Sequence, residues 1–335
     1  MSSRTAEILE KFSGCTIGVI GDMIADVYVY GRPERLSREA PVVIIQWESE
    51  ETVPGGAANT MANLLALGAT VYPVSVVGDD PAGRDLMGAF GSMGRFHTEG
   101  VIVRKDYNTI MKTRVFAGDV HTAKQQVVRV DRGRPGVSKE AWDKIRAYIR
   151  VADEEVDAWV VADYGYGLLG NLARMDLGEI AKKKPVVVDS RHHLGAYGGV
   201  TIATPNETEA AALSGMPVLP FLDDKTVGDA AGALVTKLNL QAALITRGNK
   251  GMVLAERGIA EPFFIPISGS DDIVDVSGAG DTVSSTIALA LAAGANFREA
   301  AALANFAAGV VVMKSGTAPC HYDELVDVTG AGGKE

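Results

Sequence analysis

The chain is poor in the residues that would place it outside the cell or on a nucleic acid. It has only two cysteines, Cys15 and Cys320, at opposite ends of 335 residues. Neither a disulfide framework nor the paired spacing of a zinc site is therefore available, and a reducing cytoplasm is the expected compartment. Basic side chains are outnumbered, 32 against 42 acidic, and the formal charge of -10 argues against nucleic acid or an anionic membrane surface as the main partner. An anionic substrate would have to be held by local donors. No apolar run approaches the roughly 20 residues of a membrane span. Glu7, Glu10 and Lys11 precede the first apolar run, unlike a secretory leader, so no membrane association is expected. The five histidines fall at no ligand spacing, and His192-His193 reads as a loop feature. There is no G-x-x-x-x-G-K-[ST] sequence, and Gly278-Ala-Gly280 lacks the third glycine of a dinucleotide fingerprint, so P-loop and Rossmann readings lose ground.

What the chain has in quantity is apolar residues, 47% of the total, enough for one large α/β domain or two small ones, and no linker divides it. Strand-like runs at 17–20, 71–77, 158–162, 186–189, 200–203 and 242–246 alternate with helical patterns at 55–68, 82–93, 139–151, 172–183, 207–214 and 225–238. A hairpin is expected around Glu256-Arg-Gly258, and helices at 278–293 and 298–314 close the chain. Such alternation predicts a mostly parallel, doubly wound sheet with helices on both faces. Two β-rich excursions interrupt it. Val27 to Tyr30 and Val42 to Trp47 flank the polar stretch Arg32 to Pro41, and Thr109 to Phe116 and Gln125 to Val130 flank the turn-like Gly118 to Thr122. Together they predict a small β-sheet lid, segments 27–53 and 101–131 of a single domain over 1–335. The sheet edges such a lid exposes need cover, so a homodimer through the lids is expected.

Chemistry gathers at three glycine-bearing turns. The run Ile17 to Ile20 ends in Gly21-Asp22, a buried strand opening onto a loop, where ligands of parallel sheets collect. Gly55-Gly-Ala-Ala-Asn59 begins a helix that reaches Gly68, and its N-terminus is a donor site. Asp275-Val-Ser-Gly-Ala-Gly-Asp281 runs straight into a small-residue apolar helix. The first N–H groups of a helix have no intrahelical partner and the dipole is positive there, so Gly278, Ala279 and Gly280 are placed to bind a phosphate. Asp281, in the first turn, either caps the helix or takes a proton from a hydroxyl attacking that phosphate.

The two glycine motifs, with Gly78-Asp-Asp80 between them, resemble in order and separation the signatures of the ribokinase/PfkB family of carbohydrate kinases. The resemblance covers nearly the whole chain. It implies a ribokinase-like fold, ATP as phosphoryl donor, Asp281 as general base and the backbone from Ser277 to Gly280 as an anion hole. The physical reason is that phosphoryl transfer needs mainly alignment and charge stabilisation. Asn206-Glu-Thr-Glu209 is otherwise an ordinary helix cap. It is similar to the family's Asn-x-x-Glu motif, which implies that Asn206 and Glu209 orient Mg²⁺ through its waters, as suits an ion that keeps several waters. Thr246-Arg-Gly-Asn-Lys-Gly251 resembles the strand-end loop at the nucleotide, which brings in Thr246, Gly248 and Gly251. Asn305 falls where relatives wall the adenine; turn and core packing are the plainer reading of both stretches. Arg191, in Asp189-Ser-Arg191, stands where many relatives have the lysine of Asp-Pro-Lys. It would replace that lysine as a phosphate ligand, an exchange that is not automatically neutral. In potassium-activated relatives the carbonyls matching Asp275 and Ser277, with the loop near Gly316, bind a monovalent cation, which makes K⁺ a candidate here.

The resemblance narrows in the excursions. Arg35 to Val43, Asn108 to Val115 and Gln125 to Asp131 look like the heptose 7-phosphate kinases of lipopolysaccharide core synthesis. On that footing the substrate is a sugar phosphate, with Asp22, Gly55, Gly56 and Asn59 at the sugar and Arg38, Lys112 and Arg114 at its phosphate. A solvated lid face is the plain alternative for each of these three basic residues. Several such relatives carry a second, nucleotidyl-transferring domain. Since this sequence ends at Glu335, a monofunctional kinase is expected.

Overall fold

The computed structural model describes residues 3–331 apart from 92, 119–123, 134–135, 170–176, 216–222 and 269–273. Numbered along the chain, the strands are β1 (Thr16–Gly21), β2 (Met23–Leu36), β3 (Val43–Gly56), β4 (Thr70–Gly78), β5 (Val101–Arg104), β6 (Ile110–Ala117) and β7 (Gln125–Arg132). They continue with β8 (Ala158–Asp163), β9 (Val186–Ser190), β10 (Ile202–Ala203), β11 (Ala242–Thr246), β12 (Met252–Glu256) and β13 (Phe263–Ile265). The helices are α1 (Ser3–Glu10), α2 (Ala57–Ala66), α3 (Pro81–Phe90), α4 (Lys139–Ala152), α5 (Leu177–Ala181), α6 (Glu207–Ser214), α7 (Asp224–Lys237), α8 (Ala279–Ala292), α9 (Phe297–Val311) and α10 (Tyr322–Thr329). The first half of the helix expected at 172–183 and most of the turn expected at 118–122 lie outside the described residues.

Nine strands form one sheet in the order β13-β12-β11-β10-β9-β8-β1-β4-β5. It is parallel from β11 to β5, with β12 and β13 antiparallel at one edge. Its inner strands are apolar without interruption because both faces are covered. Val187 packs into the core with α2, α8 and α9, while its neighbours Val186 and Val188 face α4, α6 and α7. Trp159, fully buried in the second core, lies flat against Gly18 on β1, where a Cβ would sit 2.3 Å from the ring. Helix α8 is buried along most of its length although it contains Ser284, Ser285 and Thr286. Their hydroxyls donate to the carbonyls of Asp281 and Thr282 one turn back, so none of the three is stranded in the core.

The chain leaves β1 toward β4 and β5, then returns to β8 on β1's other side and runs outward to β11. The switch between β1 and β8 opens a crevice at their C-terminal ends, the usual place for a ligand in such sheets. Asp22 follows β1 directly and Tyr164 follows β8 directly.

The lid is a separate four-stranded sheet, β3-β2-β6-β7. It differs from expectation in two ways. Its first hairpin is longer, 14 residues in each strand, because the polar residues after Arg32 keep pairing with β3 as far as Leu36 opposite Val43. Its second part begins at Ile110 and not at 101: Val101–Arg104 pairs with β4 at the edge of the main sheet, burying Val101. The period of two sorts the lid's faces. Asp26, Lys112 and Asp131 stand in register on one face with Tyr28, Arg114 and Arg129, whereas Val27, Val29, Val115, Val128 and Val130 share the other.

Candidate active site

Asp281 is the centre of the crevice. It is only 4% exposed, and three donors fix its carboxylate. Asn59 Nδ2 reaches Oδ2 at 2.9 Å, and Oδ1 receives the Tyr164 hydroxyl at 2.5 Å and Thr60 Oγ1 at 3.3 Å. Burial pushes its pKa up to about 6, with the three donors pulling the other way. Around it the N–H groups divide. Ser277 N–H donates to Asp275 Oδ1 and Ala279 N–H to the Val276 carbonyl at 3.3 Å. Those of Gly278, Gly280 and Asp281 meet no acceptor among the described residues. Of the Ser277 to Gly280 span expected from sequence, the N–H groups of Gly278 and Gly280 are thus unpaired, and that of Asp281 joins them. Gly278 has φ +79° and a Cβ there would lie 2.5 Å from Asn59 Nδ2, so only glycine lets this turn close on α2.

The sugar-side residues converge on the same point. Asp22 Oδ2 accepts the N–H groups of Tyr164 (3.2 Å) and Tyr166 (3.1 Å), and burial raises its pKa to about 6. The Leu168 backbone is a third donor to the same carboxylate. Gly55 and Gly56 carry the chain from β3 into α2; a Cβ on Gly55 would touch Asp26, and Gly56, at φ +56°, would press on the Asp22 carbonyl. Asn59, expected at the sugar hydroxyls, has its amide on Asp281 and on the Gly278 carbonyl (3.4 Å), so it fixes the Asp281 carboxylate. Beneath the 164–166 turn, Asp163 is buried and accepts Ser190 Oγ (2.9 Å), Tyr197 OH (2.9 Å) and Gly165 N–H (2.9 Å). Tyr164, Thr60 and Asp163 were not singled out from sequence. Asp163-Tyr-Gly-Tyr-Gly167 closes a predicted strand just as Gly21-Asp22 does, and that parallel was the available signal.

On the opposite side of Asp281 a cavity of about 350 Å³ is lined by Asn206, Thr246, Gly248, Gly251 and Asn305. Gly280, Val276 and Val312 complete its wall. Every residue named there from sequence for the nucleotide, Arg191 and Glu209 apart, therefore borders one space. Asn305 also ties α9 to the end of β13 through the Pro266 carbonyl (2.9 Å). Asn206 and Glu209 form a reciprocal capping box at 2.9 and 3.0 Å, which occupies one Glu209 oxygen and leaves the other. The Thr204 hydroxyl, at the end of β10, is buried with no partner, and burial raises the Glu209 pKa. Among the described residues no three acidic, histidine or cysteine side chains form a cage. A free carboxylate oxygen and an orphaned hydroxyl suit a hydrated divalent ion held mostly by water and phosphate. Arg191 is exposed at the rim; its charge acts on Asp189, Glu209 and Lys112. Asp275 bridges Ser277 N–H and, at 3.0 Å, Gly316 N–H, so the two stretches considered for a monovalent cation are neighbours.

The three lid cations separate. Lys112 reaches into the crevice, 5.1 Å from the Tyr164 ring centre and 6.0 Å from that of Tyr166. Its burial lowers its pKa. Arg114 instead pairs with Asp26 at 2.7 Å, both side chains largely buried, and lies over Tyr28. Arg38 is exposed in the turn at the far tip of the β2–β3 hairpin. Arg129, which the sequence reading passed over, stands beside Lys112 on the inner face, forked to Asp131 at 2.8 Å.

Comparison with known proteins agrees with this geometry. Residues 180–325 match the model of the pfkB family carbohydrate kinases. The bifunctional protein HldE of Caulobacter sp. (strain K31) is 41% identical over 330 residues, 97% of this chain and 65% of the relative. That of Geobacter sulfurreducens is 38% identical over 98% of this chain and 66% of its own length. The chain thus spans just under two thirds of these relatives. In fold it is similar to Arabidopsis thaliana ribokinase complexed with ribose and ATP (TM-score 0.74, 22% identity). It is equally similar to Escherichia coli phosphofructokinase-2 in complex with substrates and products (0.74, 17%). Each alignment covers 94% of this chain and 98% of the other.

The Arg114–Asp26 pair makes a prediction about stability. Arg114→Met strands a buried carboxylate, which typically costs about 3–5 kcal/mol, whereas Arg38→Ala at the exposed tip should stay within about 0.5 kcal/mol of the parent. Urea denaturation midpoints compare the two, and an Arg114→Met protein as stable as the parent would refute the buried-pair account.

Proposed function

We propose that this chain, whose residues 180–325 match the pfkB family carbohydrate kinases, is a kinase of that family and that its site transfers the γ-phosphoryl group of ATP to the anomeric hydroxyl of D-glycero-β-D-manno-heptose 7-phosphate. The product would be the 1,7-bisphosphate, on the route to ADP-heptose for the lipopolysaccharide core. The observation that carries the reading is the position of Asp281: a buried carboxylate beside free helix N–H groups, with an apolar cavity on one side and a lysine-bearing lid on the other. The heptose assignment rests on the lid sequences Arg35 to Val43, Asn108 to Val115 and Gln125 to Asp131.

In this mechanism the anomeric oxygen attacks the γ-phosphorus as the bond to the bridging oxygen of ADP breaks, and Asp281 takes the hydroxyl proton. The N–H groups of Gly278, Gly280 and Asp281 steady the charge on the transferred group. Asp22 orients the sugar. When bound, Mg²⁺ would supply charge neutralisation at the phosphates, and Glu209 would hold its waters. Lys112 is the lid cation placed for the 7-phosphate. The valine face on the far side of the lid, with Val128 and Val130 about half exposed, supports pairing with a second copy of the chain. Light scattering at micromolar concentration should give the dimer mass; a monomer would exclude that pairing.

Asp281→Asn keeps the side chain's size and removes the base. Turnover should fall by about 10²–10⁴ with nucleotide affinity little changed, and near-parental turnover would take Asp281 out of the mechanism. Lys112→Ala should lower kcat/KM for heptose 7-phosphate by roughly ten- to a hundredfold, the size of one charge-assisted contact. The same variant should lose little toward unphosphorylated heptose. Equal losses on both sugars would move the phosphate site elsewhere, and a panel of sugar phosphates with ATP tests the heptose assignment itself.

A further inference from the structure

We propose that Tyr164 is a positioning residue of the transfer: its hydroxyl holds the Asp281 carboxylate ionised and in the rotamer that meets the substrate. The inference rests on the reading of Asp281 as the base. The sequence motifs did not point to Tyr164, which is 117 residues from its partner.

The contact is the shortest that Asp281 makes, 2.5 Å from the phenol to Oδ1, against 3.3 Å for Thr60 on the same oxygen. Asn59 pins the other oxygen at 2.9 Å, so the carboxylate cannot turn while Tyr164 is in place. The phenol is delivered by a stiff turn. Tyr164 N–H and Tyr166 N–H both donate to Asp22, and Gly165 N–H donates to Asp163. A buried carboxylate left to itself would keep its proton and be useless as a base, and a donor aimed at it favours the charged form.

The groups around Asp281 pull in known directions. Asn59 and Thr60 from α2 and Tyr164 after β8 stabilise the ionised form against burial, while the carboxylate of Asp26 on β2 opposes it. Asp189 on β9 is a further carboxyl close by, its pKa raised well above the usual range by burial and then by the charge of Asp281. The Tyr164 proton is held well above the usual phenol range by burial and by the charges of Asp281 and Asp189. The phenol therefore remains a donor throughout the range in which Asp281 titrates. Lys112 from β6 lies over the same ring, which puts the hydroxyl beneath the substrate end of the lid.

The test is the acidic limb of the pH profile of kcat/KM for phosphorylation of heptose 7-phosphate by ATP. In Tyr164→Phe the limb should move up by about one pH unit or more, the size expected for loss of one hydrogen bond to a charged group, and plateau kcat should fall about tenfold. Site-specific replacement of Tyr164 by 3-fluorotyrosine keeps the packing and makes a more acidic donor, so the limb should move down. The substrate's own phosphate titration is common to all three proteins and cancels in the comparison. A limb unmoved in both variants overturns the inference, and the fluorinated protein decides alone if the phenylalanine variant does not fold. The parallel profile of Asp281→Asn separates the two levels: retained turnover with an unchanged limb would refute Asp281 as the base and this inference with it.

Discussion

Everything in the crevice depends on one carboxylate being held in a place where carboxylates are costly. Asp281 sits at the start of a buried helix, at the meeting of α2, the end of β8 and the turn before α8. Each of these supplies something the others lack: an amide and a hydroxyl from α2, a phenol from β8, free N–H groups from α8. Remove the helix and the free N–H groups go with it; remove α2 or the β8 turn and the Asp281 carboxyl loses donors that favour its ionised form in an apolar setting. The tight glycine at Gly278 follows from the same demand, since a side chain there would part α8 from Asn59.

The lid is built by the same economy of positions. Its inner face carries cations and acids in alternation, and most of them pair with one another, either across strands or two residues apart on one strand. Arg114 with Asp26 is the buried example and Arg129 with Asp131 the exposed one. Lys112 is the member of the set that leans out of the sheet toward Tyr164 and Tyr166. An arginine paired inside a sheet and a lysine projecting from it have the same charge and different functions, which pattern alone does not separate.

That distinction marks how far the sequence could be read. The order of strands and helices, the two glycine turns and the loops around the 350 Å³ cavity were legible because each depends on a few adjacent residues at the end of a strand. The residues that were not legible act through partners far away in the chain. Asn59 meets Asp281 across 222 positions and Arg114 meets Asp26 across 88, and no local spacing encodes either. Val101–Arg104 failed for the opposite reason. As a four-residue apolar run it suits either sheet, and only its pairing with β4 decides.

The lid's attachment has a mechanical meaning. Only Asp22 separates the end of β1 from the start of β2 at Met23, and β3 ends at Gly56 directly before α2, so both arms of the first hairpin are rooted in the crevice. Fourteen residues at about 3.3 Å each make an arm of roughly 40–45 Å. On an arm that long, a tilt of about 5° at the root carries the tip roughly 4 Å, because displacement scales with the strand rise summed along it. The hairpin is a lever with its fulcrum at Asp22 and Gly56, so a force applied near Arg38 arrives at those two residues multiplied by the ratio of the two arms.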